Sequence, residues 1–336
     1  MALFVALGFV RFGSESRPAS RRYPGIERRD FPLTGTMSLT GCYREPLAIL
    51  QGKNNLDIQR IAAFSHNNKG GNPAGVVICS EMPTEKDMLA IAKQVGYSET
   101  AFLTQVNDGW RTRYFAPEME VPFCGHATIA SGAVLGEHFG EGVYKLFINQ
   151  GEITVSVSKS GNGAFVATLR SPKTWSKIAP AEYVEELLTE FHLTAADIDT
   201  NYPICFAFAG AKHLIVVLKE RKKLAEMSYH FEPVKALMQQ EDLVTIDMLW
   251  VESNQLFHSR NPFPPGGVYE DPATGAAAAA LAGYLRDIEW QGGNSFDILQ
   301  GEDMGYPSRL SVQFTRNKGE SIRVSGETRH IPKANG

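Results

Sequence analysis

The ionisable residues that could do chemistry lie in three short stretches of the chain. They are Glu99 in SETAF, the pair Cys124 and His126 in FCGHA, and the pair Glu270 and Asp271 in YEDPATG. A carboxyl group that is partly removed from water has a raised pKa and can accept and return a proton near neutral pH. We therefore expect Glu99, at the mouth of a predicted strand, to have a raised pKa and to act as an acid–base group.

Each of these residues also has a purely structural explanation. Glutamate at the start of a strand is usually solvated, and His126 is typical of an ordinary residue near a helix N-terminus. Asp271, which is followed by proline, suits the N-cap of a helix, and Cys124 is small enough to be simply buried. The residues taken alone predict an α/β protein and leave acid–base chemistry open.

Other catalytic and cofactor motifs are missing from the sequence. It contains no GxGxxG, no P-loop, no HExxH and no GxSxG, and His126 and His138 lack the spacing of metal ligands. Nucleotide, metal and serine-hydrolase chemistry are therefore disfavoured, and we expect neither a cofactor nor a metal.

Two of the three stretches introduce similar runs of small residues. Residues 125–136 read GHATIASGAVLG and residues 271–282 read DPATGAAAAALA, and they align without gaps, with Ala127 over Ala273. Helices that are apolar on every side are buried helices. The repeat predicts two similar halves, each a curved sheet wrapped around one buried helix. Facing helix N-termini would bind a small anionic, carboxylate-containing substrate.

The regular patterning begins near residue 56. Residues 56–170 are predicted to form the first domain and 171–320 the second, and the last strand in 321–336 is expected to return to the first domain. Residues 1–55 are rich in Arg, Pro and Gly. We expect them to be a disordered extension, an organelle transit peptide, or a misplaced start ahead of Met37, and to be dispensable for chemistry.

Composition excludes several classes of function. The formal net charge is −4 and the pI about 6.1, so the chain lacks the basic footprint of a nucleic-acid binder. No apolar run reaches the length of a membrane span, and the four cysteines form no CxxC pair. A cytoplasmic protein with reduced thiols is expected.

Several blocks of the sequence resemble the PhzF-like isomerases of phenazine biosynthesis. The blocks GNPAGVV, SETAFL, RYFAPEMEVPFCGHAT, YEDPATGAAAAALAGYL and QGEDMGYPS stand in the family's order. The resemblance implies an α+β protein with the diaminopimelate-epimerase fold: two pseudo-equivalent domains, each a barrel-like sheet around a central helix. It also implies a homodimer, as a further expectation.

The same resemblance implies roles for particular residues. Glu99, His126 and Asp271 match the catalytic positions, and Cys124 is a secondary group. The substrate-binding positions implied by the resemblance are Asn72, Gly125, Thr274, Gly275 and Ala276. Ala276 stands where the phenazine enzyme has serine, and Tyr306 where many relatives have arginine, which argues against the phenazine precursor as substrate.

Three functions remain in competition. The first is a cofactor-independent isomerase that moves a proton with Glu99 as both base and acid. The second is an amino-acid racemase or epimerase, and the third a non-catalytic binding or regulatory protein. The gapless repeat places Glu270 opposite Cys124, and matching Thr274-Gly275 to the second motif of the epimerases instead places Pro272 there. With either alignment the second helix entrance has no thiol. Inversion by a pair of thiols is therefore disfavoured, and we expect proton migration on one face of the substrate.

Overall fold

The computed structural model describes residues 57–161 and 163–332, and the predicted extension 1–55 lies outside them. This part of the chain contains seventeen strands and six α-helices. The strands are β1 (Ile58–Ser65), β2 (Asn72–Cys79), β3 (Glu99–Val106), β4 (Gly109–Phe115), β5 (Glu120–Val121), β6 (Gly142–Ile148), β7 (Gly151–Lys159), β8 (Phe165–Arg170), β9 (Trp175–Ile178), β10 (Cys205–Phe208), β11 (Lys212–Leu218), β12 (Thr245–Ser253), β13 (Leu256–Pro262), β14 (Glu270–Asp271), β15 (Ser295–Gln300), β16 (Ser308–Gln313) and β17 (Arg323–His330). The helices are α1 (Glu85–Val95), α2 (Gly125–Phe139), α3 (Ala181–Glu190), α4 (Arg221–Ala225), α5 (Phe231–Gln240) and α6 (Gly275–Asp287). Among the described residues, none of these helices combines the length and the apolar character that crossing a membrane requires.

The strands of the first half form a closed circuit of pairings around α2. The circuit runs β1–β2–β3–β4–β6–β7–β8–β17 and back to β1, with β2–β3 and β4–β6 parallel and the other pairs antiparallel. Helix α2 contacts strands around this circuit, and its residues from Gly125 to Gly136 are all buried. The prediction of a buried helix over this stretch is confirmed.

The second half carries its own run of paired strands around α6. The run is β9–β10–β11–β12–β13–β15–β16, with β11–β12 and β13–β15 parallel. Helices α3, α4 and α5 cover the outer face with a separate apolar cluster. Strand β16 also pairs with β1 and β17, so both halves belong to one hydrogen-bonded network. The protein is a mixed α/β structure with a large sheet and few helices.

The small side chains of α2 are required by the closeness of the surrounding strands. A Cβ atom added at Gly132 would lie 2.6 Å from the side chain of Val155, and one at Gly136 would lie 2.6 Å from that of Val157. No larger residue fits at either position without moving the sheet. The composition of the helix is therefore a consequence of its enclosure.

The last strand pairs with strands of both halves. Strand β17 pairs antiparallel with β1 and with β8, both in the first half, as well as with β16. It runs from Arg323 to His330, inside the stretch 321–336 in which the last strand was expected. The domain boundaries themselves stay a prediction.

The register of the repeat differs from the gapless alignment made on sequence. The buried helices begin at Gly125 and Gly275, which are 150 positions apart, whereas the alignment used a spacing of 146. At a spacing of 150, EVPFCG (120–125) matches EDPATG (270–275), and each begins with a two-residue strand. The N-cap of α6 is Thr274, so the interpretation of Asp271 as an N-cap is wrong. Cys124 corresponds to Thr274 and not to Glu270.

Candidate active site

The N-termini of α2 and α6 meet at one place in the molecule. A Cβ atom at Gly125 would lie 3.4 Å from the backbone nitrogen of Ala276 and 3.5 Å from the Cα of Gly275. The first N–H groups of a helix have no intrahelical partner, and the helix dipole adds partial positive charge at that end. The two helix ends together can bind an anion. They bring together Gly125, Gly275 and Ala276, as predicted from the sequence.

Glu99 is placed at this junction by the elements that precede it. Helix α1 begins with the Thr84 hydroxyl accepting the Asp87 N–H and ends at Gly96 in the left-handed region, with φ 73°. The chain then enters β3, whose first residue is Glu99. The side chain of Glu99 is only 12% exposed, and its Oε2 lies 3.2 Å from Nε2 of His126.

His126 is surrounded by polar groups from three segments. Besides Glu99, the Oγ of Ser98 lies 3.3 Å from its Nε2, and the Sγ of Cys124 lies 3.4 Å from its Nδ1. Nδ2 of Asn72 lies 3.2 Å from the same Nδ1. Cys124 is the N-cap residue of α2, but its side chain makes no capping hydrogen bond, so the thiol is directed at the imidazole. We name Ser98, Glu99, Cys124 and His126 the first entrance.

The second helix entrance is a network of hydrogen bonds, and its members among the described residues carry no positive charge. Asn72 donates to Oδ1 of Asp271 at 2.8 Å and to the carbonyl of Ala273 at 2.9 Å. The Thr274 hydroxyl donates to Oδ2 of Asp271 at 2.5 Å. Gln300, at the end of β15, also bonds Asp271 and Thr274. We name Asp271, Thr274 and Gln300 the second entrance. Asn72 of the first half connects the two.

The electrostatics of the first entrance favour an ion pair. Burial raises the pKa of Glu99, but the hydrogen bond and charge of His126 outweigh burial and hold that pKa below its usual value. Burial lowers the pKa of His126, yet Cys124 and Glu99 raise it well above its usual value. Burial and the charge of Glu99 raise the pKa of Cys124, which favours the neutral thiol, while Glu99 also acts to raise the pKa of His126. The expectation that the pKa of Glu99 is raised is therefore wrong.

The carboxyl group of Asp271 has the opposite tendency. Burial raises its pKa to about 6, against smaller lowering effects from the charge of His126 and from the Thr274 and Asn72 hydrogen bonds, while the charge of Glu99 raises it further. Two carboxyl groups on opposite sides of one junction thus have pKa values shifted in opposite directions. Such a divergence is typical of acid–base sites.

Glu99, Cys124 and His126 also have the spacing of a metal site. One ligand atom from each lies within 4.8 Å of the others. A metal binds the thiolate form of cysteine, and burial raises the pKa of Cys124 and so disfavours that form. The protonated imidazole beside an ionised carboxylate suits proton transfer better than metal binding.

The site gathers the predicted residues and adds two that the sequence analysis missed. Ser98 contacts His126, and Gln300 bonds to Asp271 and Thr274. Both lie in stretches that the sequence analysis names, SETAF and QGEDMGYPS. Their place in these stretches is the signal that could have identified them. Glu270 does not join the site, because Arg260 binds it in a buried ion pair.

Comparison with known proteins identifies the family. The model of the family described as phenazine biosynthesis-like protein matches residues 61–332. The chain belongs to this family. It is 28% identical over 279 residues to a relative named uncharacterized isomerase YddE, from Escherichia coli O157:H7, across 80% of this chain and 94% of the relative. The predicted family and the predicted isomerase class are confirmed.

Solved structures place the fold in the same group. A phenazine biosynthesis protein of the PhzF family from Bacillus anthracis has a TM-score of 0.73 at 24% identity, over 82% of this chain and 97% of that one. A probable proline racemase from Agrobacterium radiobacter has a TM-score of 0.57 at 10% identity, over 82% and 91%. The fold is thus shared by PhzF-type proteins and by a racemase.

Proposed function

We propose that this protein is a cofactor-independent isomerase that moves a proton on a small carboxylate, with Glu99 as the single acid–base residue. The observation that carries the proposal is the buried pair of Glu99 and His126 at the junction of two helix N-termini. An ionised carboxylate with restricted access to water is prepared to take a proton from carbon.

The proton's path follows from the arrangement of these groups. Glu99 removes a proton from a carbon next to the substrate's carboxylate or conjugated system, and negative charge develops on the substrate. Protonated His126 and the first N–H groups of α2 and α6 stabilise that charge. Glu99, now carrying the proton, returns it to another carbon on the same face. The charge of His126 is 3.2 Å from Glu99, so it also favours release of the proton.

A racemase or epimerase is the second candidate, because a fold neighbour is named a probable proline racemase. Inversion needs a second acid–base group on the opposite face of the substrate. Asp271 is the ionisable residue there, but both its oxygens already accept hydrogen bonds, from Asn72 and from Thr274. This occupancy favours migration on one face over inversion. The third hypothesis, a non-catalytic protein, does not explain why an ion pair is buried at the junction of the two helix ends.

The two halves support the idea of a duplicated domain. Arg113 pairs with Glu120 in the first half, and Arg260 pairs with Glu270 in the second, on equivalent strand pairs ahead of each buried helix. We infer two pseudo-equivalent barrel-like domains with the substrate between their helices. A homodimer stays a prediction.

The test is solvent deuterium uptake. Small carboxylates, including L-amino acids and unsaturated dicarboxylates, would first be screened for thermal stabilisation, since a bound ligand raises the apparent stability. Those that bind would be incubated with the protein in D₂O and followed by NMR. A C–H bond lost at one carbon and formed at another is the expected result for an isomerase, with deuterium at the new carbon to the extent that protonated Glu99 exchanges with solvent before it returns the proton. Deuterium at the original carbon with loss of optical purity would establish a racemase instead.

The matched control is a glutamate of the same region that is solvent exposed. Glu118 is exposed and precedes β5, so Glu118→Gln should exchange deuterium like the parent. Glu99→Gln should not exchange. Exchange by both variants at the parent's rate would remove Glu99 from the mechanism.

A further inference from the structure

Gln300 uses its whole side-chain amide on the turn that begins α6. Its Oε1 accepts the backbone N–H of Thr274 at 3.0 Å, and its Nε2 donates to the carbonyl of Asp271 at 2.8 Å and to the hydroxyl of Thr274 at 3.0 Å. The residue is buried, with 2% of its surface exposed. These bonds span 26 to 29 positions of sequence and join the end of β15 to the second entrance.

The residue after Gln300 allows this approach. Gly301 has φ 77°, in the left-handed region, and a Cβ there would lie 2.7 Å from the carbonyl oxygen of Pro272 and 2.4 Å from that of Tyr306. A side chain at this position would push the turn away from Gln300. The Gln300–Gly301 pair therefore fits closely against residues 271–274.

The direction of the Thr274 hydroxyl follows from the amide. Because Nε2 of Gln300 donates to Oγ1 of Thr274, the hydroxyl's own hydrogen is free for Oδ2 of Asp271. Asn72 donates to Oδ1 of Asp271. Both oxygens of the carboxyl group are held by donors, and Gln300 fixes the backbone and the hydroxyl on one side.

We propose that Gln300 is a positioning residue, which holds the Asp271–Thr274 turn so that the Asp271 carboxyl group keeps both of its donors and its orientation toward the first entrance. It touches no reacting atom in this proposal. The strand registers Trp110 with Leu146 and Phe257 with Ile298 make Ile148 its first-half counterpart, and an isoleucine has no amide, so the clamp exists on one side only. Gln150, in the turn between β6 and β7, is exposed.

The charged groups that face Asp271 have opposing effects on its titration. From the first entrance, the charge of His126 lowers the pKa of Asp271 and that of Glu99 raises it, and the bonds from Thr274 and Asn72 lower it. If the turn loosens, the two donors are lost while burial remains. The Asp271 carboxyl group should then titrate at higher pH.

The experiment is an NMR titration of full-length protein labelled with ¹³C at aspartate Cγ, in which Asp271→Asn assigns the resonance. In Gln300→Met the midpoint for Asp271 should rise by about one pH unit. In Gln150→Met, the matched control, it should stay at the parent's value. The readout needs no substrate, so it can fail or succeed independently of the proposed isomerase activity.

A second variant guards against loss of the fold. Gln300→Glu keeps the size and the acceptor for Thr274 N–H but loses both donors, and it should raise the Asp271 midpoint further because it adds a nearby negative charge. A folded Gln300→Met protein with an unchanged midpoint would overturn the proposal. So would complete unfolding of both variants at 25 °C, because Gln300 would then support the whole fold and not the turn.

Discussion

The two helix entrances have the same backbone plan and opposite chemistry. At a spacing of 150, Cys124 corresponds to Thr274 and His126 to Ala276. The strand registers Phe102 with Arg113 and Met248 with Arg260 make Thr245 the counterpart of Glu99. Every ionisable group of the first entrance is thus matched by a neutral residue. Conversely, Asp271 is matched by Val121.

The two entrances therefore differ in what they can do, whereas two identical entrances would have the same chemistry. The first entrance holds an ion pair that can exchange a proton, and the second holds a carboxyl group fixed by hydrogen bonds. A pair of equivalent bases is suited to inversion, because each can act on one face of a carbon. A single base is suited to moving a proton along one face.

The largest loss of activity is expected when Glu99, the single base of the first entrance, is replaced. Glu99→Gln keeps the size and polarity of the side chain but cannot accept a proton. We expect kcat to fall by at least about 10³-fold, within the range of acid–base catalysis. Turnover of the purified variant on a carboxylate found by the thermal screen measures it, with Glu118→Gln as control. Near-normal turnover with an intact fold would contradict the proposed mechanism.

The signals that predict helices in the first half are local in the sequence. Thr84 and Gly96 mark the ends of α1, and the small residues of α2 indicate a buried helix. The strands between Thr245 and Gln313 were not predicted. Although β12 pairs with the adjacent β13 and β15 with the adjacent β16, the parallel pairings β11–β12 and β13–β15 join segments that other elements separate.

The pKa shifts in the site were harder to predict from the sequence than the identity of its residues. The local surroundings of Glu99 indicate burial, which raises a pKa. The partner that reverses the shift, His126, is 27 positions away and reaches Glu99 only in the folded protein. Gln300 was missed for the same reason, since its partners are contributed by another segment.

The second largest effect is expected from His126. The substitution His126→Ala puts alanine at the position that Ala276 occupies in the second half. It also removes the positive charge beside Glu99. We expect kcat to fall by about 10²-fold, and the pKa of Glu99 to rise because burial then loses its main opposition, the hydrogen bond and charge of His126. The pH–rate profile measures both. An unchanged profile would show that His126 is only structural.

The asymmetry should also appear in stability. The pKa of Asp271 is about 6 in the folded protein against an ordinary 3.8, so folding favours its protonated form. Its ionisation therefore costs stability as the pH rises from about 4 to 6, by about 3 kcal/mol in all, and the cost persists above pH 6.

Replacement by a residue that does not titrate removes this cost. Relative to the parent, Asp271→Asn should gain about 3 kcal/mol of unfolding free energy between pH 4 and pH 7, while its kcat falls. Urea unfolding at the two pH values measures the difference. The exposed Asp242→Asn should show no such gain, and a difference independent of pH in Asp271→Asn would contradict the raised pKa.

The smallest effect is expected from the thiol, and it decides between the two candidate functions. Cys124 and its counterpart Thr274 occupy the N-caps of the two buried helices, so inversion by two thiols lacks its second member. Burial raises the pKa of Cys124, which keeps it neutral beside an ionised Glu99. In Cys124→Ala we expect kcat within about threefold of the parent, because the variant loses a contact to His126 and no proton acceptor. The measurement is the deuterium-exchange rate of Cys124→Ala beside that of Glu99→Gln. An inactive Cys124→Ala with an active Glu99→Gln would make the thiol the base and the protein an epimerase.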